Sequence, residues 1–275
     1  MWFKKRKGHR MLDKHMFLIV RYSLVSTDKG IWNIGLEKSF EDYCQELFHE
    51  SRLKLHEVLF RTVTLPSIAS LVDNISTKFT LLVLTSELLP ENYLKNLSEV
   101  LRPYSWARLH VLSPQKRSID MITECLQEEL EKYDRRLCYS TTRLDDDDAL
   151  APYFLKELER YLEPTFQGFC FSFAKGYVGS YGNNGFEAFY EHYVPKVSMG
   201  LSHIDIYDPQ IRTVNHIYAV GDHMKVDQKT PTVLDSTKPM YLRTLHEAND
   251  SYNKLGPNFK KVSETNDIKR LFSID

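Results

Sequence analysis

Apolar positions along this chain fall into two alternating kinds of run. Residues 16–20 (MFLIV) are continuously apolar, as a strand buried on both faces would be. Residues 79–86 (FTLLVLTS), 107–113 (ARLHVLS) and 135–145 (RRLCYSTTRLD) read as further strands. Between them the spacing is helical. Leu36, Phe40, Tyr43, Leu47, Leu55, Val58 and Leu59 mark a helical region over residues 36–61. A second helix follows a short stop, with Pro66 as its first residue, and Pro90 opens a third over residues 89–102. Residues 118–134 (SIDMITECLQEELEKYD) form a clear amphipathic helix. Alternating strands and helices imply right-handed crossovers and an α/β fold, a mainly parallel sheet flanked by helices. In such sheets ligands bind beyond the carboxyl ends of the strands. The fourth strand ends at Asp145.

Beyond Asp148 the pattern changes. Residues 149–164 (ALAPYFLKELERYLEP) read as a helix with Asp148 as its N-cap, and residues 166–173 (FQGFCFSF) as a strand. The glycine-rich GYVGSYGNNG (176–185) matches no phosphate-loop pattern, and its Asn-Gly step fits a hairpin or loop. No long linker interrupts the chain. The expected organisation is a basic tail over residues 1–14 and a single domain over 15–275, with one half at 15–150 and a second at 151–275.

Composition excludes several classes. With 42% apolar and 27% charged residues the chain is not disordered, and a net charge of −1 supplies no field for nucleic acid. Cys44, Cys125, Cys138 and Cys170 form no C-x-x-C pair, which argues against zinc ribbons and suits a reducing cytoplasm. No apolar stretch reaches the roughly 18–20 residues of a membrane span. The opening MWFKKRKGHR could hold the chain on an anionic membrane surface through Trp2, Phe3 and its cations, although a solvated terminus is commoner.

TTRLDDDDAL (141–150) raises the central chemical question, since four adjacent carboxylates repel one another unless something holds them. An acidic surface turn is the bland answer. The sharper one is a divalent cation shared with a phosphorylated ligand, because Mg²⁺ is usually held by one or two carboxylates plus substrate phosphates. D-x-D spacing projects two carboxylates to one side, in either of two registers, Asp145/Asp147 or Asp146/Asp148. An EF-hand is excluded, since the loop lacks its central glycine and Lys156 stands at its twelfth position.

The same segment resembles the Arg-Leu-Asp-x-Asp-Asp signature of GT-A-type glycosyltransferases, specifically their rhamnosyltransferase family. FLIVRYSL (17–24), FRTVTLPSIASL (60–71) and PMYLRTLHEANDS (239–251) extend the resemblance over most of the chain. It implies a GT-A, Rossmann-like fold with nucleotide-sugar and acceptor halves. It also implies metal-dependent transfer of a sugar, rhamnose by the family's name, from a nucleotide diphosphate sugar to a glycan or lipid-linked acceptor, with Mn²⁺ or Mg²⁺ as cofactor. By the same resemblance Asp147 is the principal metal ligand and Asp145 faces ribose or metal. Asp148 supports the site, Asp146 occupies the variable position, and a carboxyl-terminal histidine, His246 with His223 as alternative, completes the metal shell. A sugar-phosphate nucleotidyltransferase shares the acidic α/β site, but VSTDKGIWN (25–33) is a poor match to its glycine-rich basic loop. A non-catalytic glycan-binding protein is the remaining alternative.

Arg21 and Arg143 end or approach the ends of strands at the expected crevice, where a guanidinium can bind phosphate or stack on a base. For Arg21 a solvated strand end or an aspartate partner is an equal alternative. An inverting transfer needs a base within reach of the acceptor hydroxyl. Glu187, Glu191 and Asp205 are candidates in the second half, with Glu187 the nominal choice. The aromatic FEAFYEHY (186–193) around it suits either sugar stacking or a helix face.

Overall fold

From His15 onward, every residue of β1 (Asp13–Arg21) is buried. Its alternate residues serve two different cores, as the two-residue period of a strand requires. Met16, Leu18 and Val20 pack with Leu81 and Val83 of β2 (Lys78–Ser86), beneath α3 (Leu65–Val72) and α4 (Glu91–Leu101). Phe17 and Ile19 pack on the opposite face with Leu82 and Leu84, against Met121, Ile122 and Leu126 of α5 (Ser118–Leu130). The computed structural model describes residues 12–28, 38–249 and 259–274. The basic segment 1–10, Leu36, residues 29–33 of the VSTDKGIWN loop and the final Asp250 and Ser251 of the carboxyl-terminal segment lie outside these residues.

Strands β1 and β2 join β3 (Ala107–Leu112), β4 (Leu137–Asp145), β6 (Cys170–Phe173), β9 (Ser202–Tyr207) and β10 (Thr232–Asp235) in a seven-stranded sheet of order β10-β6-β9-β4-β1-β2-β3. The four strands β3-β2-β1-β4 are mutually parallel, and β9 runs antiparallel between β4 and β6. The chain steps outward from β1 to β3 and returns to place β4 on the other side of β1. The gap between β1 and β4 is thus the point where the winding reverses, the place where open α/β sheets bind ligands.

A second, four-stranded sheet has the order β5-β11-β7-β8. Its strands are β5 (Ala149–Leu150), β7 (Lys175–Gly182), β8 (Gly185–Tyr193) and β11 (Tyr241–Leu245). The two residues of β5 follow the aspartates directly and pair with Leu242 and Tyr241. That pairing ties the acidic run to β11.

Three local expectations are corrected. The helix expected from Ala149 begins only at α6 (Phe154–Glu159), because Ala149 and Leu150 pair as a strand and Pro152 disfavours helix at the residue before it. Asp148 is therefore no N-cap. Residues 40–72 hold α1 (Phe40–Leu47) and α2 (Glu50–Leu59), and α2 enters α3 without a stop through a π turn, Phe60–Thr64. The widened turn precedes Pro66, which has no N–H with which to close an α-helical bond. The aromatic run at 186–193 is strand β8, and GYVGSYGNNG supplies β7 and the turn before it, with Gly185 at φ +94°.

Candidate active site

The carboxyl ends of β1 and β4 place Arg21 directly opposite Asp145 in the strand register. The Arg21 guanidinium approaches Asp145 Oδ1 to 3.5 Å. Arg143, two residues before Asp145 and so on the same face of β4, lies beside it. Both guanidiniums lie over the ring of Tyr218, at 4.9 and 5.0 Å from its centroid. Tyr218 belongs to the short helix α7 (Ile217–Val220), and its hydroxyl donates to the Ile19 carbonyl of β1. The two cations thus share one aromatic ring that is itself fixed to the sheet.

Each of the four aspartates meets a different partner, which explains how they coexist. Asp145 faces Arg21. Asp146 Oδ1 lies 2.9 Å from Nδ1 of His56 on α2. Asp147 Oδ2 lies 2.9 Å from His246 Nε2 and accepts from Asn249 Nδ2 at 3.0 Å. Asp148 Oδ1 accepts from the Thr244 backbone N–H at 2.8 Å. Burial pushes the Asp148 carboxyl well above the usual carboxylate range, and the charges of Asp147 and Asp145 push the same way, against the Thr244 hydrogen bond. The β5–β11 pairing is what carries Thr244 and His246 onto the run.

Donor atoms of His56, Asp147 and His246 lie within 4.8 Å of one another, and all three residues are buried. His56 Nε2 and His246 Nδ1 have no hydrogen-bond partner, although buried polar atoms are normally paired. Two imidazoles and a carboxylate so arranged fit a divalent cation. Asn249 is locked by the His246 N–H donating to its Oδ1 at 2.7 Å, which turns its amide nitrogen toward both His246 Nε2 and Asp147.

His56, Asp147 and Asn249 line a cleft of about 830 Å³. Arg21, Arg143, Asp145 and Asp147 line it together, as the sequence suggested, and His246 stands behind Asp147. His223 lines the same cleft near Arg143, and burial with the Arg143 charge lowers its pKa. Glu187, Glu191 and Asp205 do not line it. Glu187 is exposed on β8, beside Gly182 at the hairpin end, and Glu191 pairs with Lys260. Asp205 is buried and accepts from Gln167 and Asn215. The nominal base is therefore displaced from the chemistry, because Glu187 sits exposed beside Gly182 at the hairpin end of β8, whereas it is His192 of that strand that lines the cleft. Among the described residues, Asp28, His192, Asp222 and His223 also bring titratable groups to the cleft, besides the aspartate run, His56, Tyr218 and the arginines. His192 is held at about 4 by burial and the Arg243 charge.

Sequence reasoning missed His56, Asn249 and Tyr218. His56 did leave a signal, since it shares a helical stripe with buried Leu53 and Leu59, and a polar residue on such a face asks for a partner.

A protein-family profile described as "Putative rhamnosyl transferase" matches residues 15–258. The chain belongs to this family. The rhamnosyl transferase match covers β1 from His15, the aspartate run, His246 and Asn249, and it supports a glycosyltransferase-like role. Comparison with curated protein sequences gave no match. Similar solved structures include a "Putative Glucose-1-Phosphate Thymidylyltransferase" from Bacillus anthracis in complex with a sucrose, at 10% identity over 83% of this chain and 88% of that one, with a TM-score of 0.35. Another is the inositol-1-phosphate CTP transferase from T. maritima, at 11% identity over 96% and 97%, with a TM-score of 0.36. Scores this low carry no argument about chemistry.

Proposed function

We propose that this protein is a divalent-metal-dependent glycosyltransferase that moves a sugar from a nucleotide diphosphate sugar to a glycan or lipid-linked acceptor. The family's description supports rhamnose as that sugar. One observation carries the reading: a cationic, aromatic shelf (Arg21, Arg143, Tyr218) and a carboxylate backed by an imidazole (Asp147, with His246 behind it) meet at one cleft at the reversal point of a parallel sheet.

Glycosyl transfer builds oxocarbenium character on the sugar while negative charge grows on the departing diphosphate. Arg21 and Arg143, stacked rigidly on Tyr218, present N–H donors to phosphate oxygens with little further loss of side-chain freedom. Asp145 lies where it can accept from a ribose hydroxyl. Asp147 and His246 would hold the cation, which when bound supplies Lewis-acid neutralisation of the leaving diphosphate without a proton. The low exposure of Arg21, Asp147 and His246 strengthens the electrostatic contacts they make.

The test is a thermal-shift series with a panel of nucleoside diphosphates, each with and without Mn²⁺ or Mg²⁺. A ligand at 100 times its Kd stabilises by about 2.7 kcal/mol, so metal-dependent stabilisation by at least one nucleotide is expected. Metal-dependent release of nucleoside diphosphate from its sugar conjugate should follow for that nucleotide. No stabilisation by any member of the panel, with or without metal, would refute the reading. Among the described residues no helix is long and apolar enough to cross a membrane. A membrane-borne acceptor would then be reached through the basic segment 1–10, and deleting it should abolish salt-sensitive pelleting with anionic liposomes.

A further inference from the structure

We propose that His56 is a further ligand of the cation held by Asp147 and His246, and that Asp146 is the carboxylate that fixes its tautomer. The site would then favour an imidazole-seeking transition ion such as Co²⁺ or Zn²⁺ over Mg²⁺. The inference rests on the cation reading given above and deepens it.

His56 and Asp146 are joined by a 2.9 Å contact between Nδ1 and Oδ1, with side chains only 4% and 3% exposed. A buried carboxylate takes the Nδ1 proton as its hydrogen bond, so the neutral ring keeps its lone pair on Nε2. That atom is buried and has no partner in the protein. His56 belongs to the trio of residues whose donor atoms lie within 4.8 Å of one another. The His56 and His246 rings meet edge to face, 5.4 Å between centroids. A carboxylate behind a histidine, with the ring's other nitrogen directed at a metal, is the usual way a ligating imidazole is oriented and made more basic. Asp146 thus has work distinct from that of Asp147, its neighbour in the chain.

The donor set decides the metal. Oxygen-only sites suit Mg²⁺, which binds imidazole weakly and keeps its waters. Two imidazoles and one carboxylate instead follow the rising affinity toward Co²⁺, Ni²⁺ and Zn²⁺.

The experiment titrates metal-stripped full-length protein with Co²⁺, reading its visible absorption bands, and repeats the titration with Mg²⁺ in excess. Variants are His56→Ala, His56→Gln, Asp146→Asn and Asp147→Asn, with circular dichroism confirming that each is folded. Expected are Co²⁺ binding by the wild type that a hundredfold excess of Mg²⁺ does not displace, and an altered spectrum in both His56 variants. Their Co²⁺ affinity should fall at least as far as that of Asp146→Asn, for which about 10- to 100-fold is the usual loss from an orienting partner. If Asp147→Asn loses Co²⁺ while both His56 variants keep the wild-type affinity and spectrum, the His56 assignment fails and the cation reading survives. Displacement by equimolar Mg²⁺ overturns the selectivity. A wild type that binds no Co²⁺ overturns the cation reading and this inference together. Should His56→Ala not fold, His56→Gln and Asp146→Asn decide the matter by the same readouts.

Discussion

His15 lies on β1 at the end remote from the cleft, and its titration should be visible in the stability of the whole protein. Its ring stacks on Phe17 with 4.0 Å between centroids. Nδ1 meets the Tyr133 hydroxyl at 2.7 Å and Nε2 meets Thr80 Oγ1 at 2.9 Å. Burial, followed by the positive charges of Lys78 and Lys132, lowers its pKa from 6.5 to about 3. An unfolded chain protonates His15 below about pH 6.5, whereas the folded protein does not until about pH 3. Between these values the unfolded state binds more protons, so stability rises with pH. The contribution is fully present above about pH 6.5 and lost as the pH falls toward 3. Each pH unit is worth about 1.36 kcal/mol, so moving from pH 8 to pH 5 should cost about 2 kcal/mol through His15 alone. The variant His15→Gln cannot titrate and retains an amide for one of the two hydroxyls. At pH 8 it should lose about 1 kcal/mol for the other hydrogen bond. Its stability should then fall less steeply, leaving the drop between pH 8 and pH 5 about 2 kcal/mol smaller than in the wild type. Urea unfolding at half-unit intervals over that range measures both curves. Other buried histidines, such as His192 and His216, titrate in both proteins and largely cancel in the difference. Parallel curves for the two proteins would refute the argument.

Asp147→Asn should reduce metal-dependent transfer on the order of 100-fold or more while leaving the urea midpoint of the metal-free protein nearly unchanged, and full activity would remove Asp147 from the site. Tyr218→Leu removes the ring under both guanidiniums, and at about 1–2 kcal/mol for such contacts it should weaken nucleoside diphosphate binding roughly 5- to 30-fold by calorimetry. Tyr218→Phe should retain most of that affinity, and equal binding by the Leu variant would show that the shelf is not used. Glu187→Gln changes an exposed residue at the hairpin end of β8 that does not line the cleft, and it should change transfer by no more than about twofold. A large kcat loss there would restore Glu187 as the base.

Pattern along the chain was enough to lay down β1, β2, β3 and β4: β1 and β2, buried on both faces, carry nearly continuous apolar runs, whereas the edge strand β3 and the polar-rich β4 showed as short runs between helical stretches. It also put the aspartates at a strand end, where a parallel sheet exposes its backbone and can admit a ligand. Arg21 and Asp145 were each legible as strand-end residues. Their facing one another was not, because it follows from β4 returning to the far side of β1, and no local pattern encodes strand order. The same holds for the partners of the acidic run. His56 stands 90 residues before Asp146, and His246 stands 99 after Asp147. The first arrives because α2 buries one stripe against the sheet, the second because β5 pairs with β11. Glu187 shows the converse, a residue of suitable chemistry in the expected half of the chain that the β7–β8 pairing holds exposed at the hairpin end, whereas His192 of the same strand reaches the cleft. Side-chain period fixes which face a residue occupies, whereas long-range pairing of strands and helices decides what that face meets.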